Sequence, residues 1–489
     1  MKHTNVRAMF LAMVAVMLSV LGLGIATAMP VRVTLTEAGK LADKLGTQAN
    51  EIDSLVVEGP IDSLDFHTMW SMAYKGKLAY IDMENAKAEN DRIPTEAFFN
   101  YYEQCYDNHG FVGFRRLSGL RQVILPKGAK TIGEAAFAYT GITEMQLPSS
   151  LEKMEKECFL CCDKLARVEI PDGVTSLPKL AFYQCYNLAE VKLPETLEFI
   201  SSNAFNSCMK LSQINLPESL LGIDEFAFFG TESLKEITIP SKLTEISTAC
   251  FNSSGLEKIL VPPNIRTIGL SAFLSCRYLK ELQLSEGLTW VRATAFNEAP
   301  IEKLILPSTL TQIDPDVFGN LDKLKEIYSL SATPPVICDI NINGLPQAET
   351  RASVTVDGIS SSYLAFNGTT PRDIPVFVPV GALERYRNAG RGWGWFSDFR
   401  ECADMPVIPS SGIKDVTSRA DDLSELKVAV GNGELTISGV QPGTPFAVYS
   451  IDGKCIAGGQ MQSEDVTVKV PGGIYIVRAG VESQKVMAR

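Results

Sequence analysis

The stretch LAEVKLPETLEFISSNAFNSCMK (188–210) is followed at once by LSQINLPESLLGIDEFAFFGTES (211–233), which repeats its pattern. Segments of the form LxxΦxΦP, where Φ is apolar, recur every 22 or 23 residues from about 120 to 330. A repeat of this length at a fixed period is typical of a solenoid, in which each unit forms one coil. Phenylalanine recurs with the same period at Phe137, Phe159, Phe182, Phe205, Phe228, Phe251, Phe273, Phe296 and Phe318.

One coil can be interpreted residue by residue. Alternation of apolar and polar residues in LAEVKLP (188–194) predicts a short strand with Val191 pointing inward. The apolar residues that follow, ending at Ile200, are expected to turn the chain. The segment SNAFN (202–206) is expected to form a helical turn with its Phe facing inward. Because one coil cannot bury its own apolar face, the coils must stack and pair their strands in parallel.

Eleven cysteines would suggest disulfides in an exported protein, but their positions follow the repeat. Side chains on stacked parallel coils do not converge to the Cβ separation of about 3.8 Å that a disulfide needs. We therefore expect buried thiols that act as small apolar residues, and favour this over a metal or redox site in CFLCC (158–162). The six cysteines in repeat positions are Cys158, Cys162, Cys185, Cys208, Cys250 and Cys276.

Composition narrows the class of protein. Residues 1–28 combine a basic start, an apolar run and a small-x-small site ending at Ala28, which predicts a signal peptide cleaved near that residue. No later apolar run is long enough to span a membrane. The net charge of −12 disfavours nucleic acid as a partner. Of the three histidines, only His67 and His109 lie outside the signal segment, so catalysis that depends on histidine has little support.

The pattern LxxΦxLPxxLxxIxxxAFxxCxx resembles the BspA-like leucine-rich repeats of bacterial surface proteins. The resemblance implies a leucine-rich repeat solenoid with a parallel β-sheet and short helical turns. It also implies irregular capping repeats at 29–119, regular repeats at 120–330 and a closing segment at 331–402. The stretches 101–119 and 341–373 depart from the repeat and are not placed.

A linker rich in Pro, Ser, Gly and charge follows at 403–422, and 423–489 changes character. Alternating segments around Gly and Asp-Gly turns predict a small antiparallel β-sandwich. SIDGK, PGGIYIVRAG and Lys485 make this segment similar to the C-terminal sorting domain of the type IX secretion route. The similarity implies export across an outer membrane, while a plain β-sandwich without a sorting role remains the alternative.

The outward side chains of the parallel strands form the candidate binding face. A solvated face with mixed charges is an equally good interpretation, because the face is not rich in aromatic residues. The later half has more apolar area and is the favoured region. Its residues are Lys258, Leu260, Glu281, Gln283, Lys303, Ile305, Glu326 and Tyr328.

These observations favour a non-catalytic protein, secreted or on the outer cell surface, whose solenoid mediates protein binding or adhesion to host matrix or other cells; adhesion is what the resemblance implies. A carbohydrate-binding accessory protein that uses Trp393 and Trp395 is the alternative. An aromatic cap on the last coil explains those tryptophans better, however. Acidic pairs such as Asp314 and Asp316 are interpreted as solvated turns. We expect no enzyme activity, no cofactor, no bound metal and a monomer.

Overall fold

A computed structural model describes residues 29–408, apart from 101–103, 108–109, 115, 338, 341–345, 348–354, 357–358 and 361–363. Between 427 and 488 it describes seven strands. The chain divides into two units, Met1–Ile413 and Lys414–Arg489.

The first unit is a parallel β-solenoid, which confirms the predicted fold. Each coil except 234–255 contributes one strand to the face sheet, and equivalent residues of paired coils are in register, as Glu190 is with Arg167 and Gln213. In the three-residue strands from 144 to 192 the central residue lies in the core, as Val191 does. The strands of this sheet from the repeat region onward are Gln122–Ile124, Glu144–Gln146, Arg167–Glu169, Glu190–Lys192, Gln213–Ile214, Lys258–Val261, Glu281–Leu284, Lys303–Leu306, Glu326–Ser329, Pro375–Pro379 and Asp398–Cys402.

A second parallel ladder follows the short turn after the face strand, where the sequence predicted only a change of direction. Its strands have two residues each, and the second one points into the core, as Ile200 does. Two residues are too few to show an alternation, which is why this ladder was not predicted. Its strands are Thr131–Ile132, Lys153–Met154, Ser176–Leu177, Phe199–Ile200, Gly222–Ile223, Glu245–Ile246, Thr267–Ile268, Trp290–Val291, Gln312–Ile313 and Val336–Ile337.

The third side of the coil, predicted to be a helical turn, is instead a series of tight turns. Asn203 and Ser207 have positive φ values of 60° and 61°, which a helix does not allow. The backbone N–H of Ala204 donates within its coil to Ser201 O at 3.2 Å, while that of Phe205 donates to Ala227 O of the next coil at 2.9 Å. Along this side, N–H groups that bond within the coil therefore alternate with N–H groups that bond to the next coil.

This geometry stacks the phenylalanines of successive coils into one column. The ring centroids of Phe182 and Phe205 are 5.5 Å apart with planes inclined by 2°. The column extends beyond the nine repeating positions to Phe98, 5.4 Å from Phe137, and to Phe366, 5.3 Å from Phe318. Every ring of the column is buried.

The six cysteines in repeat positions are buried free thiols, as predicted. Four of them also have a polar role that the sequence did not indicate. Cys185 Sγ donates to Phe159 O of the preceding coil at 3.1 Å, and Cys162, Cys208 and Cys276 make the same bond. The thiol is therefore a second donor to a buried carbonyl group that also accepts an N–H bond within its own turn, as Phe159 O does from Cys162 N at 3.3 Å.

The N-terminal region extends the face sheet with the strands Val31–Thr34, Ser54–Ile61 and Tyr80–Asp82. It also contains a 13-residue helix, Ser63–Lys75, that the sequence did not predict. Buried Asp65 accepts N–H bonds from Gly39, Leu41 and Asp62, which fixes the start of this helix. The other short elements here are the helix Leu41–Leu45, the 3-10 helices Gly46–Glu51 and Glu89–Asp91, the strands Ala86–Ala88 and Arg92–Ile93, and the hairpin Gln104–Asp107 with Gly110–Phe114.

Aromatic residues close the C-terminal end of the solenoid. Trp393 is 1% exposed, packs on Phe366 and Tyr386, and donates from Nε1 to Pro335 O at 3.0 Å. The capping interpretation therefore accounts for Trp393, and the idea of an exposed tryptophan platform is wrong for this residue. The elements of this region are the helix Leu383–Arg387, the 3-10 helix Arg391–Trp395, and the hairpins Asp339–Ile340 with Pro346–Gln347 and Thr355–Val356 with Ile359–Ser360.

The second unit is a small antiparallel β-sandwich, as predicted for 423–489. Leu435, Val448 and Val477 belong to its common apolar core, which draws on both sheets. One sheet contains Lys427–Gly431, Glu434–Ser438 and Val466–Lys469, and the other Cys455–Gln460, Pro445–Ser450, Gly473–Ala479 and Glu482–Ala488. The SIDGK turn lies outside the described residues, apart from Ser450.

Candidate binding face

The predicted site residues lie on the face sheet in two columns. Strand register places Lys258 beside Glu281 and Leu260 beside Gln283. The next pair of strands places Lys303 beside Glu326 and Ile305 beside Tyr328. We call Lys258, Glu281, Lys303 and Glu326 the charged column, and Leu260, Gln283, Ile305 and Tyr328 the apolar column.

The closing segment extends the apolar column, which the sequence analysis missed. Phe377 stands in register with Tyr328, and the two rings stack at 4.7 Å with planes inclined by 17°. Arg400 follows in register with Phe377. The alternation in PVFVP (375–379) was the available signal, but that segment was assigned to the cap alone.

Electrostatic contacts tie the two columns together. Lys303 Nζ lies 3.0 Å from Glu326 Oε1 and 4.3 Å from the centre of the Tyr328 ring. Burial and then the nearby Glu326 carboxylate raise the pKa of Tyr328, so its hydroxyl stays protonated as a donor. Lys258 pairs at 2.6 Å with Glu236 of the preceding coil. The charges beside the apolar column are thus held in place by one another.

The accessible part of the apolar column is a shallow ridge. Leu260, Ile305, Tyr328 and Phe377 are each half-buried, so their outer atoms meet solvent while their inner atoms pack on the sheet. A ridge of this kind suits contact with another surface more than enclosure of a small molecule.

The earlier half of the face has a different chemistry. Arg167 pairs with Glu144 at 2.8 Å, and Lys192 pairs with Glu169. All four side chains are more than half exposed, so the pairs add little stability and leave a well-hydrated surface. The face therefore divides into a charged half, 122–215, and a half with an apolar column, 258–400.

The acidic and thiol groups outside the face have structural roles. Asp314 is 3% exposed and accepts from Trp290 Nε1 at 2.8 Å and from Arg292 Nε at 3.0 Å. It is therefore a buried, paired carboxylate, and the expectation that it is solvated is wrong. Asp316 accepts from Asn367 Nδ2. Burial raises the pKa of the Cys276 thiol to about 11, which leaves no nucleophilic thiolate at neutral pH.

The two histidines do not mark a site. His67 stacks on Trp70 at 5.2 Å on the helix Ser63–Lys75, beside a cavity of about 300 Å³. His109 lies outside the described residues. In the described part of the chain no group of three metal-ligating side chains occurs. No helix there is both long and apolar enough to cross a membrane.

Solved structures similar to this chain are leucine-rich repeat proteins. A leucine-rich repeat protein from Bacteroides ovatus shares 22% identity over 71% of this chain and 84% of its own, with a TM-score of 0.47. A leucine rich cell surface protein from Faecalibacterium prausnitzii shares 21% over 62% and 83%, with a TM-score of 0.32. The T. pallidum leucine rich repeat protein shares 26% over 37% and 78%, with a TM-score of 0.30. None of these likenesses bears on what the chain binds.

Among curated proteins, none matches the sequence. The family model for the BspA type leucine rich repeat region matches in six copies, over residues 112–223 and 198–325. No catalytic family is indicated. Residues 112–325 of the solenoid are therefore similar to repeats of the BspA type.

Proposed function

We propose that this chain is a non-catalytic, exported cell-surface protein whose face binds a protein partner through the apolar column. The observation that carries the proposal is the run of half-buried apolar side chains, Leu260, Ile305, Tyr328 and Phe377, beside paired charges on the parallel strands of the face. Aromatic and branched apolar residues of this kind form the centres of protein interfaces.

The ridge is held in place before a partner arrives. Tyr328 is stacked on Phe377 and covered by Lys303, so its ring loses little freedom on binding. Preorganised contact residues reduce the entropy cost of association. The charged column sets the orientation of a partner, because a like charge placed against it costs free energy.

Export and display belong to the same proposal. The apolar run in 1–28, which lies outside the described residues, supports export as a cleaved signal peptide. The similarity of 423–489 to a type IX sorting domain supports display or release at the outer membrane. Surface proteomics on intact cells, with and without 423–489, tests display; equal surface abundance would refute the sorting role.

Binding is tested with the full chain against immobilised matrix proteins and whole cells. The variant Leu260→Ala/Ile305→Ala/Tyr328→Ala should weaken binding at least tenfold while circular dichroism stays unchanged. The matched control, Gln122→Ala/Gln146→Ala/Asn215→Ala, changes the charged half of the same face and should bind as the parent does. Binding to none of these targets, or equal loss in both variants, would refute the proposal.

Glycan capture is the second candidate, and one observation supports it. Trp395 keeps a partly exposed ring, with Arg372 4.1 Å from its centre, although Nε1 is bound to Thr370 O at 3.1 Å. A glycan array that gives hits lost in Trp395→Ala would favour this function. An array without hits would remove it.

A further inference from the structure

The face sheet and the second ladder of the solenoid are both interrupted at the same junction between coils. The face sheet pairs without a break up to Gln213–Ile214, and the next coil has no strand at 236–238. The second ladder pairs up to Gly222–Ile223 and does not continue to Glu245–Ile246. The junction between coil 211–233 and coil 234–255 therefore lacks both ladders.

Other interruptions affect one ladder only. The second ladder also breaks after Lys153–Met154, but there the face strands remain paired, with Glu144 beside Arg167. The face sheet also breaks after Glu281–Leu284, where Trp290 stays paired with Gln312. Among the described coils from 120 to 330, the junction at 233/234 is the only one at which neither the face sheet nor the second ladder is paired.

Side chains replace the missing backbone bonds at this junction. No backbone hydrogen bond joins 235–239 to 212–216 in this described stretch. Instead Ser241 donates from its N–H at 3.0 Å and from Oγ at 2.7 Å to Glu218 Oε2. Ser247 Oγ donates to Ile223 O.

The same Glu–Ser clamp recurs at another gap. Ser308 donates from its N–H at 3.0 Å and from Oγ at 2.9 Å to the carboxylate of Glu286, at the interruption of the face sheet after Leu284. Clamps of this form thus occur where the face sheet is open. They are exposed, so water competes for them and each adds little stability.

The third side of the junction is intact. Phe226 N donates to Thr248 O at 3.0 Å, and Phe228 N donates to Cys250 O at 2.9 Å. The rings of Phe228 and Phe251 stack at 5.5 Å with planes inclined by 8°. One edge of the solenoid is therefore continuous through the point at which the other two are open.

We propose that the junction between coil 211–233 and coil 234–255 is a hinge, with the phenylalanine column as its axis. Opening there breaks two serine clamps, the exposed one of Ser241 and the half-buried one of Ser247, whereas opening any neighbouring junction breaks a backbone ladder. A hinge consists of a few residues that absorb a change in backbone angles while the packed parts on either side stay rigid. The hinge lies between the charged half and the apolar half of the face, so it changes the angle at which a partner meets both.

Hydrogen exchange of the full chain at neutral pH tests the hinge. Amides of 214–216 and 236–239 should exchange at least about tenfold faster than those of 167–169 and 190–193, whose strands are paired on both sides, while amides of 226–230 stay protected. Equal protection of the four face segments would overturn the hinge. Loss of protection at 226–230 as well would also overturn it, because the whole coil would then be unfolding.

A pair of variants separates the hinge from general weakening. Ser241→Ala/Ser247→Ala removes both hydroxyl bonds, leaves the N–H bond of residue 241 to Glu218, and should accelerate exchange at 236–239 several-fold further, without changing 226–230. Ser219→Ala is the matched control, since its Oγ donates to Leu197 O across a junction where both ladders are paired. It should leave exchange at 214–216 and 236–239 as in the parent. Acceleration of the same size in the control, or none in the double variant, would refute the role of the clamps.

Discussion

Truncation of one ring in the phenylalanine column is the sharpest test of how this solenoid is held together. Phe205 is fully buried between Phe182, at 5.5 Å, and Phe228, at 5.4 Å. Replacement of a buried Phe by Ala costs about 3–5 kcal/mol through lost transfer free energy and the cavity left behind. Each lost ring pair adds about 0.5–1.5 kcal/mol. With two ring pairs lost, Phe205→Ala should therefore cost about 4–8 kcal/mol.

The loss should be local, because each coil contacts only its neighbours. Hydrogen exchange measures it as the drop in the free energy of opening for amides of 204–208 and of the adjoining coils. Urea unfolding followed by circular dichroism gives the effect on the whole solenoid, where a second transition would show that the coils on either side have lost their coupling.

Phe199→Ala is the control on the same coil. This Phe is 45% exposed, on the outward side of the second ladder, and its removal should cost less than about 1 kcal/mol. A cost below about 2 kcal/mol for Phe205→Ala, or equal costs for the two variants, would refute the view that the column carries the stacking of the coils.

Three further outcomes are expected. Cys185→Ala should cost about 1 kcal/mol in urea unfolding, because it removes one of the two donors to buried Phe159 O, and a neutral result would show that the thiol contributes packing alone. Glu155→Gln should destabilise the fold at pH 7 but hardly near pH 2, because the bond with Arg92 lowers the pKa of Glu155 from 4.5 to about 2. The stabilisation from this bond is present above about pH 4.5 and is lost as the pH falls through 2. Equal losses of unfolding free energy at both pH values would contradict this reasoning. Trp393→Ala should expose the last coil and speed hydrogen exchange at 364–367 at least tenfold, and unchanged exchange there would contradict its role as a cap.

The candidate face illustrates how far sequence reasoning reached. Alternation in the repeat strands identified Leu260, Ile305 and Tyr328 as outward residues, and the structure places them in one column. Phe377 and Arg400 were missed because the irregular stretch 341–373 interrupts the period before them. Whether the face binds a partner remains a prediction.

At the two ends of the solenoid, too, the sequence predicted the regular positions and missed the irregular ones. Nine rings of the column could be located by their spacing, but Phe98 and Phe366 could not, since insertions separate them from the regular repeats. The helix Ser63–Lys75 was also missed, because it interrupts a region interpreted only through its likeness to irregular repeats.

By itself the sequence determined the solenoid, the parallel sheet and the inward positions of each coil. It could do so because a repeated unit imposes the same pattern of burial at every turn. Only the tertiary structure decided which coils are joined by backbone hydrogen bonds and which by serine clamps. It also showed that the thiol of Cys185 serves as a donor to the coil before it. These bonds link residues a full coil apart, and their formation depends on how closely and at what angle adjacent coils approach, which a period of 22 or 23 residues leaves open.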